Sequence, residues 1–223
     1  MRRPRVLAPA AAAILASAVA TGCIPYAVGS TARTVPAGEH VRTTTAFIIP
    51  NGIENKGDSV AATIPGLDAE VRIGIDNRSD WGIRVPSWSG VVLNYKRRLD
   101  AVPATAAADT GVAVSLMTGA GVINWGEHAH FELSLIASGR EDRKAVPYGG
   151  LRVMQVAPLN SAAPSDRPTA GGFLGWRLGS RDLGVAPELG VFYDHSTLHI
   201  RKSDVIFVPS ITFYGHILSS VFH

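Results

Sequence analysis

Between Leu67 and Leu99 the chain alternates apolar and polar residues with a period of two, through three runs separated by short polar turns. Side chains of a strand point to opposite faces in alternation, whereas an amphipathic helix needs apolar residues three and four apart. In the first run Leu67, Ala69, Val71, Ile73 and Ile75 oppose Asp68, Glu70, Arg72 and Gly74. Residues 76–80 (DNRSD) reverse the chain, and Trp81, Ile83 and Val85 then oppose Gly82 and Arg84. After residues 86–90 (PSWSG), Val91, Leu93 and Tyr95 oppose Asn94, Lys96 and Arg98. The stretch therefore predicts an antiparallel meander.

The same rhythm continues in both directions. It predicts ten strands, near 40–49, 67–75, 81–87, 91–99, 111–120, 129–137, 147–157, 169–178, 183–193 and 204–214. All-β chains of this size commonly form one undivided domain. Residues 39–223 are accordingly expected to form one antiparallel up-and-down β-barrel of about eight to ten strands. The links at 76–80 and 179–182 are short, while those at 50–66, 158–168 and 194–203 are longer, which is the asymmetry of outer-membrane barrels. Pro187 and Pro209 fall inside predicted strands. Proline cannot donate to a ladder and a closed barrel has no edge to hide it on, so bulges or earlier strand ends are expected there. Gly149-Gly150 and Gly171-Gly172 are read as bulges or bends rather than phosphate cradles.

A basic flank (Arg2, Arg3, Arg5), an apolar run from Val6 to Ala20 and small residues before Cys23 mark residues 1–22 as a secretory signal. Without those three arginines the 21 basic residues become 18, equal to the 18 acidic ones. The mature chain is then neutral despite a sequence pI of about 9.2, and nucleic-acid binding is excluded as an expectation. Cys23 is the sole cysteine, so no intramolecular disulfide can form. Residues 25–38 are small, polar and punctuated by Pro and Gly, and 23–38 is read as a linker. No apolar run of 18 or more residues follows Gly22, so a membrane-spanning helix is not expected.

Ala20-Thr21-Gly22-Cys23 resembles the lipobox of bacterial lipoproteins, which implies acylation of Cys23 by the lipoprotein-processing machinery. Ile24, in place of Asp, implies by the same resemblance the outer membrane of a Gram-negative cell. The body of the chain resembles small bacterial outer-membrane β-barrel proteins in SDWGIRV (79–85), RDLGVAPELGVFY (181–193) and SDVIFVPSITFYG (203–215). That resemblance implies outer-membrane lipid and the barrel-assembly machinery as partners.

If the apolar faces meet lipid, the opposite positions place Glu70, Arg72, Arg84, Lys96, Glu132, Arg152, Arg177 and Glu188 in the lumen. A lysine or arginine facing acyl chains near mid-bilayer costs about 2–4 kcal/mol. Enclosed charges of mixed sign can pair into a filler or line a narrow hydrated path. Trp81, Trp88, Tyr95, Trp125, Tyr148, Trp176, Tyr193 and Tyr214 are candidates for the interfacial belts that amphipathic rings favour.

Chemistry has weaker support. His128 with His130, and His195 with His199, are two-ligand patterns without a third partner, so no metal or other cofactor is expected. Neither a Gly-x-Ser-x-Gly elbow, a P-loop nor a His-Glu-x-x-His motif occurs, and no catalytic residue is assigned. Three readings stand. The first is a lipid-anchored outer-membrane barrel with a structural, adhesive or narrow-pore role. The second is a tethered periplasmic β-sandwich or lipocalin-like barrel that binds an apolar ligand inside. The third is a barrel enzyme acting on membrane lipids, with His195 or His199 and a serine.

Overall fold

Ten antiparallel strands close on themselves in simple chain order, each paired with its sequence neighbours and the last with the first. The computed structural model describes residues 24–55, 58–100, 111–141, 144–159, 167–193 and 205–215. The strands are β1 (His40–Asn55), β2 (Asp58–Gly74), β3 (Ser79–Pro86), β4 (Val91–Arg98), β5 (Ala113–Ile123), β6 (His128–Ser138), β7 (Ala145–Pro158), β8 (Thr169–Gly179), β9 (Leu183–Tyr193) and β10 (Val205–Gly215). We call the end where β1 begins and β10 finishes the lower end. The upper end carries the β1–β2 hairpin.

Period-two patterning sets the polarity of the wall. On β4, Val91, Leu93 and Tyr95 face out, while Val92, Asn94, Lys96 and Arg98 are enclosed. On β2, Ile73 is 37% exposed and its neighbour Arg72 only 3%. The outer surface carries Val71, Ile83, Leu93, Leu133, Val153, Leu174, Leu189 and Phe207, all exposed. This greasy exterior around an ionic interior is the inverse of a soluble barrel. The closed ring excludes a β-sandwich, and the exposed apolar face is the opposite of what a lipocalin-like barrel presents to water.

Several sequence expectations need correction. The segment 50–66 is not a loop: β1 and β2 run on through Pro50, Pro65 and Gly66 to pair Asn55 with Asp58. Pairing of β1 with β10 stops at Phe47–Ser210, and that of β2 with β3 at Asp68–Pro86, so the hairpin rises past both neighbours as a two-stranded ribbon. Neither Pro187 nor Pro209 ends its strand. Their missing N–H groups fall where a ladder lapses: β8–β9 pairing skips Trp176 and Arg177 opposite Pro187, and the β1–β10 seam ends one residue short of Pro209. Gly149, Gly150, Gly171 and Gly172 sit in continuous register rather than at bulges. A Cβ on Gly150 would fall 1.9 Å from the Leu135 carbonyl oxygen, so glycine permits close strand approach there.

The enclosed space is layered rather than uniformly ionic. At the upper end Phe47, Ile49, Ile64, Val92, Ile123, Met154, Val156, Phe192, Ile206 and Val208 form a buried apolar cluster. Ile206 and Val208 share the inner face with Thr212, so β10 lines the enclosed space with both apolar and polar side chains. The charges occupy the middle. A second apolar cluster with Val41, Ala113, Met117, Ile136, Tyr148, Phe173, Ala186 and Tyr214 extends through the lower half.

Candidate functional site

The segment read as a linker does not trail away from the barrel. Residues 24–36 form neither helix nor strand and run through the enclosed space, nearly all of them buried. Ile24 and Tyr26 pack in the upper apolar cluster, the ring of Tyr26 lying 5.3 Å from that of Phe192. Val28, Ala32 and Val35 join the lower cluster. Below it Ala37 bridges Gly74, and Gly38 N donates to Gly74 O at 3.1 Å. Cys23 lies outside the described residues.

Peptide groups in an irregular segment have no ladder to satisfy them, and leaving them bare in an enclosed space is costly. Here the charged side chains of the wall take that role. Glu188 accepts from Val28 N and Gly29 N, one on each carboxylate oxygen, both at 2.9 Å. Ala27 O accepts from Arg84 Nη1 at 3.2 Å and Arg152 Nη1 at 3.0 Å. Lys96 Nζ donates to Ser30 Oγ at 3.0 Å, Thr31 O at 3.1 Å and Arg33 O at 2.9 Å. Further contacts come from Asp80 to Val35 N at 2.8 Å, Ser138 to Ala32 N at 3.2 Å and Tyr214 to Gly29 O at 2.6 Å. Since these groups come from β3, β4, β6, β7, β9 and β10, the wall surrounds the segment.

The same charges also pair with each other. Arg72 donates to Glu70 Oε1 at 2.8 Å, to Asp80 Oδ1 at 3.0 Å and to Asn94. Arg84 Nη2 reaches Glu70 Oε2 at 3.1 Å, and Arg152 pairs with Glu132, which also meets His130 Nε2 at 3.1 Å. At the lower mouth Glu141 accepts from Arg177 at 2.8 Å, Arg181 at 2.9 Å and Thr31 Oγ1 at 3.3 Å. Gly29 turns the segment with φ +58°, and a Cβ there would fall 2.2 Å from Thr212 Oγ1. Among the described residues, the space left beside Ser30, Arg72, Lys96 and Tyr214 is about 20 Å³, room for about one water.

All eight charges singled out from the sequence are buried within the wall, and five of them are brought into one network: Arg72 and Arg84 pair with Glu70, Arg152 pairs with Glu132, and Arg84 lies 4.0 Å from Glu132 and links the two. Sequence reasoning missed their principal partner, the 24–36 segment, and also Asp80, Asn94 and Tyr214. A charge imbalance was the available signal: the eight comprise five cations and three acids, and Asp68 and Asp80 lie on the same strand faces as Glu70, Arg72 and Arg84. The aromatics divide. Trp88, Trp125 and Tyr193 are exposed near the upper end, and Trp81, opposite Tyr95, with Trp176 near the lower. Tyr148 and Tyr214 are enclosed instead, which corrects their place as interfacial residues. His195, His199 and the serine beside them lie outside the described residues.

Replacing Glu188 with Leu strands two enclosed N–H groups, and a loss of about 2–5 kcal/mol is expected in denaturant titrations of the detergent-solubilised protein. The same change at exposed Glu39 should stay within about 0.5 kcal/mol. At Glu141 burial favours the neutral acid, but the Arg181 and Arg177 guanidinium groups outweigh it and hold the carboxyl below its ordinary value of 4.5. A native pKa below the unfolded one means the stabilisation is complete above about pH 4.5 and fades as acid titrates the native carboxylate. The stability difference between wild type and Glu141→Gln should thus be flat at neutral pH and shrink below pH 4.5.

No family model and no curated protein matches the chain. Among solved structures it is similar to Neisserial surface protein A, with 12% identity and a TM-score of 0.35 over 79% of this chain and 95% of that one. It is similar also to Ail, the attachment invasion locus protein of Yersinia pestis (9%, 0.30, 80% and 97%). The outer membrane protein OprG from Pseudomonas aeruginosa is a third (12%, 0.31, 83% and 97%).

Proposed function

We propose that this chain is a lipid-anchored outer-membrane barrel, acylated at Cys23 and stoppered by its own N-terminal segment, with a structural or adhesive role. The observation that carries this reading is the inverted polarity of the closed wall, greasy outside and ionic within. An open-ended sheet or an irregular loop cannot face acyl chains, because each bare peptide group there costs several kcal/mol, whereas a closed barrel satisfies all its wall groups internally. Five of the strands have 11 residues, the length that crosses a bilayer when tilted. Aromatics near both ends fit the two interfaces.

The filled interior favours the structural and adhesive roles over the narrow pore. Ions would have to displace a segment held by Lys96, Glu188, Arg84 and Arg152. The β1–β2 ribbon supplies a surface beyond the wall, with backbone edges that neither β10 nor β3 covers. Outer-membrane lipid and the lipoprotein-processing and barrel-assembly machineries are the partners this reading requires.

Single cysteines at Ile73 and Arg72, each in a Cys23→Ser background, test the orientation in detergent-extracted and reconstituted protein. Ile73→Cys should react with a lipid-soluble maleimide in vesicles and be shielded from a charged one, while Arg72→Cys should resist both until unfolding. Reaction of either Arg72→Cys or Ile73→Cys with the charged reagent at the rate of a free thiol contradicts membrane residence.

A further inference from the structure

The 24–36 segment has a direction, and that direction decides which membrane face receives the start of the mature chain. Its first described residue, Ile24, packs with Ile123, Val156, Phe192 and Ile206, all at the upper ends of their strands. Its later residues reach lower elements only. Arg33 donates to Gly111 O at 2.7 Å and Gly139 O at 2.6 Å, and Thr34 Oγ1 to Asn77 O at 3.3 Å. The chain therefore descends through the barrel and turns below it into β1, which climbs back along the wall. Thirteen residues span at most about 45 Å, enough to pass through a wall of 11-residue strands once.

With ten strands, β1 begins and β10 ends on one side. We infer that the start of the mature chain emerges on the other side, with the upper connections, so that an acyl group on Cys23 anchors in the outer leaflet of the membrane. This rests on the spanning and acylation readings above. Here the anchor and the foot of β1 lie across the membrane from each other. Side chains from six strands bind the peptide groups of the segment and hold it in this direction. The lipid and the barrel then hold the segment from its two ends.

The test uses the full chain expressed in a Gram-negative host, with a Gly-Cys-Gly insertion at one of three places. These are between Cys23 and Ile24, between Trp125 and Gly126 at the upper end, and between Ala107 and Ala108 in the lower connection. Acylated Cys23 does not compete for thiol reagents, and heat-modifiable gel mobility confirms that each variant folds. A membrane-impermeant maleimide should label the first two in intact cells, and the third at least tenfold more after outer-membrane permeabilisation. Labelling of the first insertion only together with the third overturns the inference while leaving a spanning barrel. The reverse orientation, with the lower insertion outside, overturns the leaflet assignment. Equal labelling of the second and third insertions removes the spanning reading and the inference with it. Mass spectrometry of the N-terminal peptide, against Cys23→Ser, reads acylation separately: an unacylated peptide ends the anchor claim even where the first insertion is labelled outside.

Discussion

Unladdered peptide groups in a closed space must find partners, and that requirement explains the ionic belt of this barrel. Arg84, Lys96, Arg152 and Glu188 are the solvent that residues 24–36 would otherwise lack. Glu70, Asp80 and Glu132 hold the three cations in place by pairing with Arg84, Lys96 and Arg152, and Arg72 braces Glu70 and Asp80 in turn. A buried charge with its partner removed is more costly than a pair never formed. Wall and segment are consequently one interlocked unit: each carries groups that the other must satisfy.

The layering of the interior follows from the same segment. Where its side chains are Ile24 and Tyr26 the wall answers with Ile, Val, Phe and Met; where its carbonyls turn outward the wall answers with Arg and Lys. The inside of the wall thus matches the irregular chain it encloses, apolar against apolar and charge against peptide group.

Strand positions were legible because period two is a local property, visible in runs such as Glu70–Ile75 without knowledge of partners. The direction each face points was legible too, since Arg72, Arg84 and Lys96 cannot face lipid cheaply. What escaped were features set by contacts distant in sequence. Pro50, Pro65 and Gly66 read as loop punctuation, yet they lie in a ribbon that rises past its neighbours, where a missing donor disturbs no third strand. Pro187 and Pro209 read as obstacles, yet each faces a lapse in pairing that only the assembled seam and the β8–β9 ladder reveal. Residues 24–38 have the composition of a tether. Nothing local tells a solvated tether from one whose solvent is a ring of side chains up to 185 residues away.

Amide hydrogen exchange along 24–36 in the folded, detergent-solubilised protein tests this interlock most directly. The amides of Val28, Gly29, Ala32 and Val35, bound by Glu188, Ser138 and Asp80, should be protected as strongly as those of β6 and β9. Exchange of these four within seconds, at the rate of a free tail and with the strands still protected, would contradict a barrel built around its own beginning.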